Sequence, residues 1–304
     1  MPDGVTGTLD TTAVLLFFAL PMSVVVGGGL FVPWQRRYWS LRGWTAALAR
    51  DGWVVAGLIL MLVPEVIESQ IDPFMTRTLG LDFTPLAAAL DGDLQARLQA
   101  LLPEVWLHAV FTFVYVAGYP FLIIFTPILG IWLGRGPLAR RALGAYALCY
   151  ALAVPFYLFF PVNEVWCHAA LAAGATSCTD STAVATVHPA VQNLATNFQW
   201  VRDHLYSFNE VNNCFPSLHT AISAAMAGIA WGGPSRRYQH VAWVFAAMIA
   251  FSTIYLGIHW VVDVAAGLVL AAVAVHFVSR WWPDAPQTTL DQAPLEAPPE
   301  RLVG

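Results

Sequence analysis

Seven long apolar stretches limit what this chain can fold into more than any other feature of its sequence. A helix needs roughly 20 apolar residues to cross the hydrocarbon layer of a membrane, and most of the stretches approach or exceed that length. They comprise residues 12–33, 52–67, 105–133, 139–161, 215–232, 240–256 and 259–280. Because lipid offers the backbone no hydrogen bonds, we predict an all-α fold, a polytopic bundle of transmembrane helices.

The composition agrees with a membrane protein and excludes several other classes. Hydrophobic residues make up 58% of the chain and charged residues only 11%, whereas soluble domains carry roughly 25% charged residues. So few charges cannot cover a water-soluble globule, which excludes an ordinary soluble enzyme and a disordered chain. The formal net charge of −5 also argues against a nucleic-acid partner.

The arginines predict the orientation of the bundle. The chain has no lysine, and basic residues on short loops stay preferentially on the cytoplasmic side of a membrane. Arginines cluster in alternate connections of the seven-span scheme, at positions 36, 37, 42, 50, 135, 140, 141, 236, 237 and 280. We therefore expect these connections in the cytoplasm. Residues 1–11, 68–104 and 162–214 then lie on the extracytoplasmic face, and we expect the membrane to be the plasma membrane.

Three regions follow from these patterns. Residues 1–51 hold the N-terminal span and a cytoplasmic loop, residues 52–281 a membrane domain, and residues 282–304 a proline-rich tail that we expect to be disordered. Within the exterior loops, residues 85–102 and 190–206 repeat apolar side chains at helical spacing. We expect two amphipathic helices there, lying either on the membrane surface or against the bundle.

Four cysteines raise the question of a disulfide. Cys149 falls inside a predicted span, where a small buried thiol is ordinary. Cys167 and Cys178 share an exterior loop and can form a disulfide there, since that side of most membranes is oxidising. Cys214 leaves an odd thiol and is an equally good partner for either of them.

Ionisable side chains inside the predicted spans are the candidates for function, because their burial in a membrane is costly. Three of them are His219, His259 and Asp263. They belong to the strings N-N-C-F-P-S-L-H-T at 212–220 and S-T-I-Y-L-G-I-H-W-V-V-D at 252–263. Pro216 suits a helix start, which puts His219 in the first turn of the fifth span. The i, i+4 spacing of the other two predicts one shared helix face at the start of the seventh span, on the same side of the membrane.

Two histidines and a carboxylate at one membrane face suit phosphoryl transfer. One imidazole can attack phosphorus while the second protonates the leaving oxygen, and the carboxylate orients the attacking ring. Ser217 and the free N–H groups of the first helical turn can bind phosphate oxygens, and this chemistry needs neither a metal nor a cofactor. Further candidate phosphate ligands are Asn212, Asn213, Ser252 and Arg202. The competing interpretations are histidines that only pack or cap, a metal site, and bis-histidine haem ligation.

The two strings resemble motifs of a known family. F-P-S-L-H is similar to the second motif of the type 2 phosphatidic acid phosphatase superfamily, and S-T-I-Y-L-G-I-H-W-V-V-D-V-A-A-G to its third. The resemblance covers about residues 105–280 and implies a six-helix core, here with one additional N-terminal span. It also implies that His259 is the nucleophile that forms a phosphohistidine, oriented by Asp263. His219 would be the general acid and then the general base, and Ser217 would bind phosphate.

The departures from the family pattern favour one of its branches. Phosphatases of this superfamily carry a first motif with a lysine and an Arg-Pro pair, whereas this chain has no lysine and reads F-F-P-V-N-E-V-W at residues 159–166. They also carry an arginine at the position of Thr253. A phosphomonoester is close to a dianion and requires such cationic ligands more than a singly charged phosphodiester does. The chain therefore looks closer to the transferase branch, similar to inositol phosphorylceramide synthases and sphingomyelin synthases.

That branch implies a lipid phosphotransferase. Such an enzyme moves a phospho-headgroup, for example inositol phosphate, from a phospholipid donor to the hydroxyl of a lipid acceptor. An alternative is a lipid phosphate or isoprenoid pyrophosphate phosphatase on the same scaffold, in which Arg202 supplies the missing positive charge. A second alternative is a non-enzymatic membrane transporter or scaffold, for which a His259→Ala variant would lose no lipid-processing activity.

Overall fold

The fold is helical throughout the part of the chain that the structure describes. The computed structural model describes, besides isolated positions between 49 and 78, residues 23–32, 80–133, 135–174, 213–233 and 235–283. No strand occurs in these ranges, and Val162 and Asn213 form an isolated backbone bridge. The prediction of an all-α chain is therefore confirmed for the described residues.

The described residues form the following helices, in chain order. A π-helical turn, Ser23–Gly27, leads into α1. The α-helices are α1 (Gly28–Phe31), α2 (Thr84–Asp91), α3 (Leu94–Leu101), α4 (Val105–Phe113), α5 (Tyr119–Trp132), α6 (Gly136–Phe159), α7 (Val165–Ala172), α8 (Leu218–Ala230), α9 (Arg236–Tyr255) and α10 (Val261–Trp281). A second π-helical segment, Val114–Gly118, joins α4 to α5 without a break.

Within the described residues, three helical stretches are long and apolar enough to cross a membrane: Trp106–Trp132, Gly136–Phe159 and Val261–Trp281. They match three of the predicted spans and indicate a membrane protein. Helix α8 is apolar but has only 13 residues, which is about 20 Å of helix. The first two predicted spans fall mostly outside the described residues, so that the arrangement of six helices plus one N-terminal span stays a prediction.

Helix α8 lies at the centre of the bundle. It packs against α10, α9, α6 and α5. Ala221, Ile222, Ala225 and Met226 on α8 are almost completely buried in the main core. Small side chains such as these alanines let the backbones of neighbouring helices approach closely, as is common between helices in membranes.

The first turns of α8 and α10 are fixed to each other. The backbone N–H of Ser217 donates to the backbone oxygen of Asp263 over 3.1 Å. One turn further along α10, a Cβ atom added to Gly267 would lie only 2.5 Å from the backbone oxygen of Ser217. The glycine thus permits the close approach that brings the two helix starts together.

Replacing Gly267 with alanine is expected to destabilise the protein by about 1–3 kcal/mol, the usual cost of overpacking a core. The clash involves backbone rather than a flexible side chain, so the two helix starts must separate. Thermal unfolding in detergent measures this loss. Gly136→Ala is the control, because a Cβ atom at that position has no neighbour within 4 Å. Equal stability of the two variants would contradict the close contact.

The predicted amphipathic helix at residues 85–102 is two helices in the structure. Helices α2 and α3 are separated at Gly92, whose φ of 58° ends the first helix in a conformation that favours glycine. The second predicted amphipathic helix, at 190–206, lies outside the described residues, as does nearly all of the 282–304 tail. The domain boundaries stay predictions.

Candidate active site

The structure brings His219, His259 and Asp263 together at one end of the bundle. His219 Nδ1 lies 3.1 Å from His259 Nε2. His259 Nδ1 lies 3.6 Å from Asp263 Oδ2. His259 and Asp263 are buried, whereas His219 is half-buried. The three side chains thus form a line of polar groups that runs from a buried carboxyl group to a partly accessible imidazole.

The reason why His259 and Asp263 meet differs from the one predicted. The i, i+4 stacking on one helix was wrong, because α10 begins at Val261 and His259 precedes its N-cap, Trp260. Asp263 Oδ2 accepts a hydrogen bond of 2.8 Å from the backbone N–H of Trp260. This capping contact turns the carboxylate back towards the residue that precedes the helix.

A tight turn presents His259 to the site. Gly257 has a φ of 73° and follows the end of α9. The backbone oxygen of Thr253 accepts hydrogen bonds from the N–H groups of Ile258 and His259, at 2.8 and 3.1 Å. The glycine in the string Y-L-G-I-H is therefore required by the turn that places the imidazole.

Cys214 is part of the site, which the sequence did not predict. Its Sγ lies 2.9 Å from Asp263 Oδ2 and 3.2 Å from His259 Nδ1, so that the sulfur bridges the carboxylate and the imidazole. The thiol is free and buried. Burial, followed by the negative charge of Asp263, raises its pKa well above the usual value, so that it stays a thiol. The only feature of the sequence that could have indicated this role is that Cys214 lies five residues before His219.

Cys214, His259 and Asp263 also have the composition of a metal site. One ligand atom from each lies within 4.8 Å of the others. Their contacts, however, are those of hydrogen bonds, since the thiol donates to Asp263 Oδ2 and the same oxygen accepts from the Trp260 backbone. The metal-independent reaction stays a prediction, and a chelator tests it.

Two tyrosines enclose His219, and neither was predicted. The Tyr115 hydroxyl lies 2.9 Å from His219 Nε2. The rings of Tyr115 and Tyr119 each lie 4.8 Å from the imidazole, centroid to centroid. Tyr115 lies in the π-helical segment and Tyr119 directly after it, 104 and 100 residues before His219. No local sequence pattern could indicate contacts over such a separation.

The predicted phosphate ligands have different surroundings. Ser217 is buried and caps α8, its Oγ accepting from the Thr220 N–H at 3.2 Å. Ser252 is also buried, and its hydroxyl donates to the backbone oxygen of Met248 at 2.6 Å. Asn213 is half-buried beside Cys214. Asn212 and Arg202 lie outside the described residues, and phosphate binding by this set stays a prediction.

The F-F-P-V-N-E-V-W stretch packs against the turn that holds His259. The Trp166 backbone N–H donates to the Gly257 oxygen at 2.9 Å. The Trp260 indole N–H donates to the Asn163 oxygen at 2.9 Å. Glu164 is buried, and its side chain accepts from the Trp166 indole N–H. This stretch therefore holds the turn around His259 in place and supplies no cation to the site.

Glu164 is expected to make stability depend on pH. Burial raises the pKa of its carboxyl group well above the usual 4.5, and the negative charge of Asp263 adds to this shift. As pH rises above 4.5, the unfolded chain releases this proton while the folded chain keeps it, so stability falls. Glu164→Gln imitates the protonated form and should remove that fall. The melting temperature of Glu164→Gln relative to the wild type should be lowest near the usual pKa and should increase with pH. Parallel curves of melting temperature against pH for the two proteins would contradict a raised pKa of Glu164.

Of the two cysteines in the predicted disulfide, Cys167 is among the described residues and Cys178 is not. Cys167 is disulfide-bonded. Cys149 and Cys214 are free thiols, so that Cys214 is not the partner of Cys167. Cys178 lies outside the described residues, and its pairing with Cys167 stays a prediction.

Comparison with known proteins gives one result at the level of the family. A search of curated proteins and a search of solved structures each find no significant match to the chain. The family model described as PAP2 superfamily matches residues 82–277, which include both tyrosines, Cys214, the two histidines and Asp263. The match covers well over half of the chain. The protein belongs to the PAP2 superfamily.

Proposed function

We propose that the protein is a membrane lipid phosphotransferase, which moves a phospho-headgroup between lipids through a phosphohistidine on His259. The observation that carries the proposal is the line of hydrogen-bonding groups from Asp263 and Cys214 through His259 to His219. An imidazole whose Nδ1 is engaged by buried groups presents the lone pair of Nε2 as a nucleophile. The adjacent imidazole supplies and recovers the proton.

The reaction balances in two steps. His259 Nε2 attacks phosphorus, the bond from phosphorus to the diacylglycerol oxygen breaks, and His219 donates a proton to that oxygen. Diacylglycerol leaves, and the headgroup phosphate stays on His259. His219 then takes the proton of a lipid hydroxyl, whose oxygen attacks phosphorus and releases His259 Nε2. In-line transfer requires the phosphorus to enter between the two imidazoles, which lie in direct contact in this structure.

The charges around the site favour a phosphodiester. Thr253, at the position where phosphatases of the family carry an arginine, is buried and donates its hydroxyl to the Ala250 backbone at 2.8 Å. The described arginines of α5, α6, α8, α9 and α10, and of the α5–α6 and α8–α9 connections, lie at the helix ends away from the site, at 135, 140, 141, 236, 237 and 280. Among the described residues, Arg97 in α3 is the arginine on the site's side of the bundle. Neutral donors bind a dianionic monoester less strongly than cations do.

The surroundings of the site suit a lipid substrate on the extracytoplasmic face. Exposed apolar side chains occur on α2, α3 and α4, which pack near the site, and include Leu86, Leu90, Leu101 and Trp106. Helix α8 is about 10 Å too short to cross the hydrocarbon layer, which suggests that its first turn lies below the membrane surface. Because arginines lie at the opposite helix ends, the positive-inside rule supports our proposal that the site is outside the cytoplasm, and we propose the plasma membrane as its location.

Product analysis with purified protein in vesicles tests the proposal. One set of vesicles contains phosphatidylinositol with a lipid alcohol, and a second contains phosphatidate. The proposal predicts diacylglycerol together with the headgroup phosphate on the alcohol, and little free phosphate. Addition of EDTA should leave the rate unchanged, and the His259→Ala protein is the control for contaminating activity.

Two other results would overturn the proposal in different ways. Faster release of phosphate from phosphatidate than from any diester, lost in Arg202→Ala, would indicate a lipid phosphatase built on the same residues. No turnover of any phospholipid by wild-type protein that is correctly folded would favour a transporter or scaffold.

A further inference from the structure

We infer that Tyr115 is a positioning residue that holds His219 in the Nδ1–H tautomer, so that the proton for the leaving oxygen is on the nitrogen that faces the reacting phosphorus. The inference rests on the proposed function and adds a residue to it. The Tyr115 hydroxyl lies 2.9 Å from His219 Nε2, the ring nitrogen opposite the one that faces His259.

The donor and acceptor of each hydrogen bond in this series can be assigned by starting from Asp263. An ionised carboxylate can only accept hydrogen bonds. The Cys214 S–H has two acceptors within reach, Asp263 Oδ2 at 2.9 Å and the Ile258 backbone oxygen at 3.1 Å, and with either of them the sulfur keeps its lone pairs for a donor. The sulfur can then accept from His259 Nδ1–H at 3.2 Å. With its proton on Nδ1, the imidazole of His259 can only accept at Nε2.

The same reasoning assigns the remaining hydrogen bonds, from His259 to His219 and on to Tyr115. His259 Nε2 accepts from His219 Nδ1–H over 3.1 Å. His219 Nε2 is then an acceptor, and Tyr115 is the group that donates to it. In this arrangement every donor points from Tyr115 towards Asp263, and each ring nitrogen has a partner of the right type. A hydroxyl at Tyr115 thus fixes which nitrogen of His219 carries the proton.

The backbone around Tyr115 is adapted to this contact. Tyr115 is the second residue of the π-helical segment Val114–Gly118. Tyr119 follows the segment directly, four residues after Tyr115, and residues at this spacing are neighbours on a helix surface. Both rings contact His219 with centroids at 4.8 Å. Such segments within α-helices occur frequently at functional sites.

Entry of a substrate would separate the two histidines but would leave the tyrosine in place. The His219 Nδ1–H then gives its proton to the leaving oxygen instead of donating to His259. The Tyr115 hydroxyl continues to donate to Nε2 and stabilises the negative charge left on the ring, until His219 takes a proton from the lipid hydroxyl in the second step. Without the hydroxyl, Nε2 lacks this donor and the other tautomer becomes accessible. That tautomer presents a lone pair to the leaving oxygen and cannot protonate it.

The matched variants are Tyr115→Phe and Tyr119→Phe. Each keeps an aromatic ring against His219, and only the first removes the hydroxyl that lies at hydrogen-bond distance from Nε2. With the phospholipid donor, we expect Tyr115→Phe to lower kcat about 10- to 100-fold with KM nearly unchanged, within the range of general acid catalysis. Tyr119→Phe keeps its ring contact with His219 and removes no hydrogen bond to Nε2, so any loss that it causes should be clearly smaller than that of Tyr115→Phe.

A change of leaving group shows whether Tyr115→Phe impairs protonation of the leaving oxygen or only the packing around His219. In a donor analogue with p-nitrophenol in place of diacylglycerol, the leaving oxygen needs little protonation. The loss caused by Tyr115→Phe should then shrink to a few-fold. An equal loss with both donors would overturn the inference, as would wild-type activity of Tyr115→Phe with the phospholipid.

The tautomer itself can be measured without turnover. Nitrogen-15 NMR of histidine-labelled protein, with the His219 signals identified by their absence in His219→Gln, should show Nδ1–H in the wild type and in Tyr119→Phe. In Tyr115→Phe the signals should move towards the other tautomer. Unchanged His219 signals in Tyr115→Phe would overturn the inference even in an active enzyme. Failure of the proposed function, by contrast, would appear as absent turnover in the wild type.

Discussion

Replacement of His259 by alanine is expected to abolish lipid turnover, with a loss of at least about 10⁴-fold. Removing the nucleophile of an enzyme with a covalent intermediate has effects of this order or larger. His259 Nε2 is the ring nitrogen that faces His219, and the opposite nitrogen is held by Cys214 and Asp263. No other histidine among the described residues has this pair of contacts.

A nearby histidine provides the control for the His259 variant. The side chain of His168 on α7 contacts the Trp260 ring, with centroids 5.7 Å apart, rather than His219, His259 or Asp263. His168→Ala should therefore keep most of the activity, and thermal unfolding should show that both variants fold. Residual turnover in His259→Ala above about 1% of the wild-type rate would contradict its assignment as nucleophile, since loss of a nucleophile leaves far less.

The second large effect is expected for Asp263→Asn, with a loss of about 10²- to 10⁴-fold that stays smaller than that of His259→Ala. The amide oxygen of asparagine can still accept from the Trp260 N–H, so the cap of α10 is retained. The neutral side chain no longer stabilises the imidazolium character that develops on His259 during attack. The nucleophile remains but is less well oriented and less basic.

Comparison with Asp263→Ala separates capping from catalysis. Alanine also removes the capping acceptor, which costs roughly 1 kcal/mol of stability in most helices. The Asp263→Asn protein should therefore be clearly more stable than the Asp263→Ala protein, while both turn over substrate slowly. Wild-type activity of Asp263→Asn, in kcat with a phosphodiester, would show that the carboxylate has no role in the reaction.

The sequence predicted which residues of the two strings meet better than it predicted how they meet. Helix starts at Pro216 and near His259 were enough to expect both imidazoles on one side of the bundle. The i, i+4 rule assumed that His259 was already helical, whereas the positive φ of Gly257 and the Trp260 cap keep it outside the helix. The capping role of Asp263 was the missed physical cause.

Cys214 and Tyr115 could not be derived from local patterns. The thiol was considered only as a disulfide partner, although its contacts with residues 45 and 49 positions away make it part of the site. Tyr115 contacts a residue 104 positions away. Periodicity reports which face of one helix is apolar, and it contains no information about which helix packs on it. Among the described residues, three predicted spans correspond to helices long enough to cross a membrane. Helix α8 is shorter than the predicted span 215–232 because Ser217 caps its start and Trp231 its end.

The most direct test of the account is the mass of the covalent intermediate. Protein mixed with phosphatidylinositol for milliseconds, without a lipid alcohol and in EDTA, is quenched under alkaline conditions, digested and examined by mass spectrometry. The account predicts that the peptide containing His259 gains the mass of inositol phosphate, and that the gain is absent in His259→Ala. A gain of phosphate alone would contradict transfer of the intact headgroup. Turnover without any adduct on His259, or an adduct on another residue, would contradict the central claim.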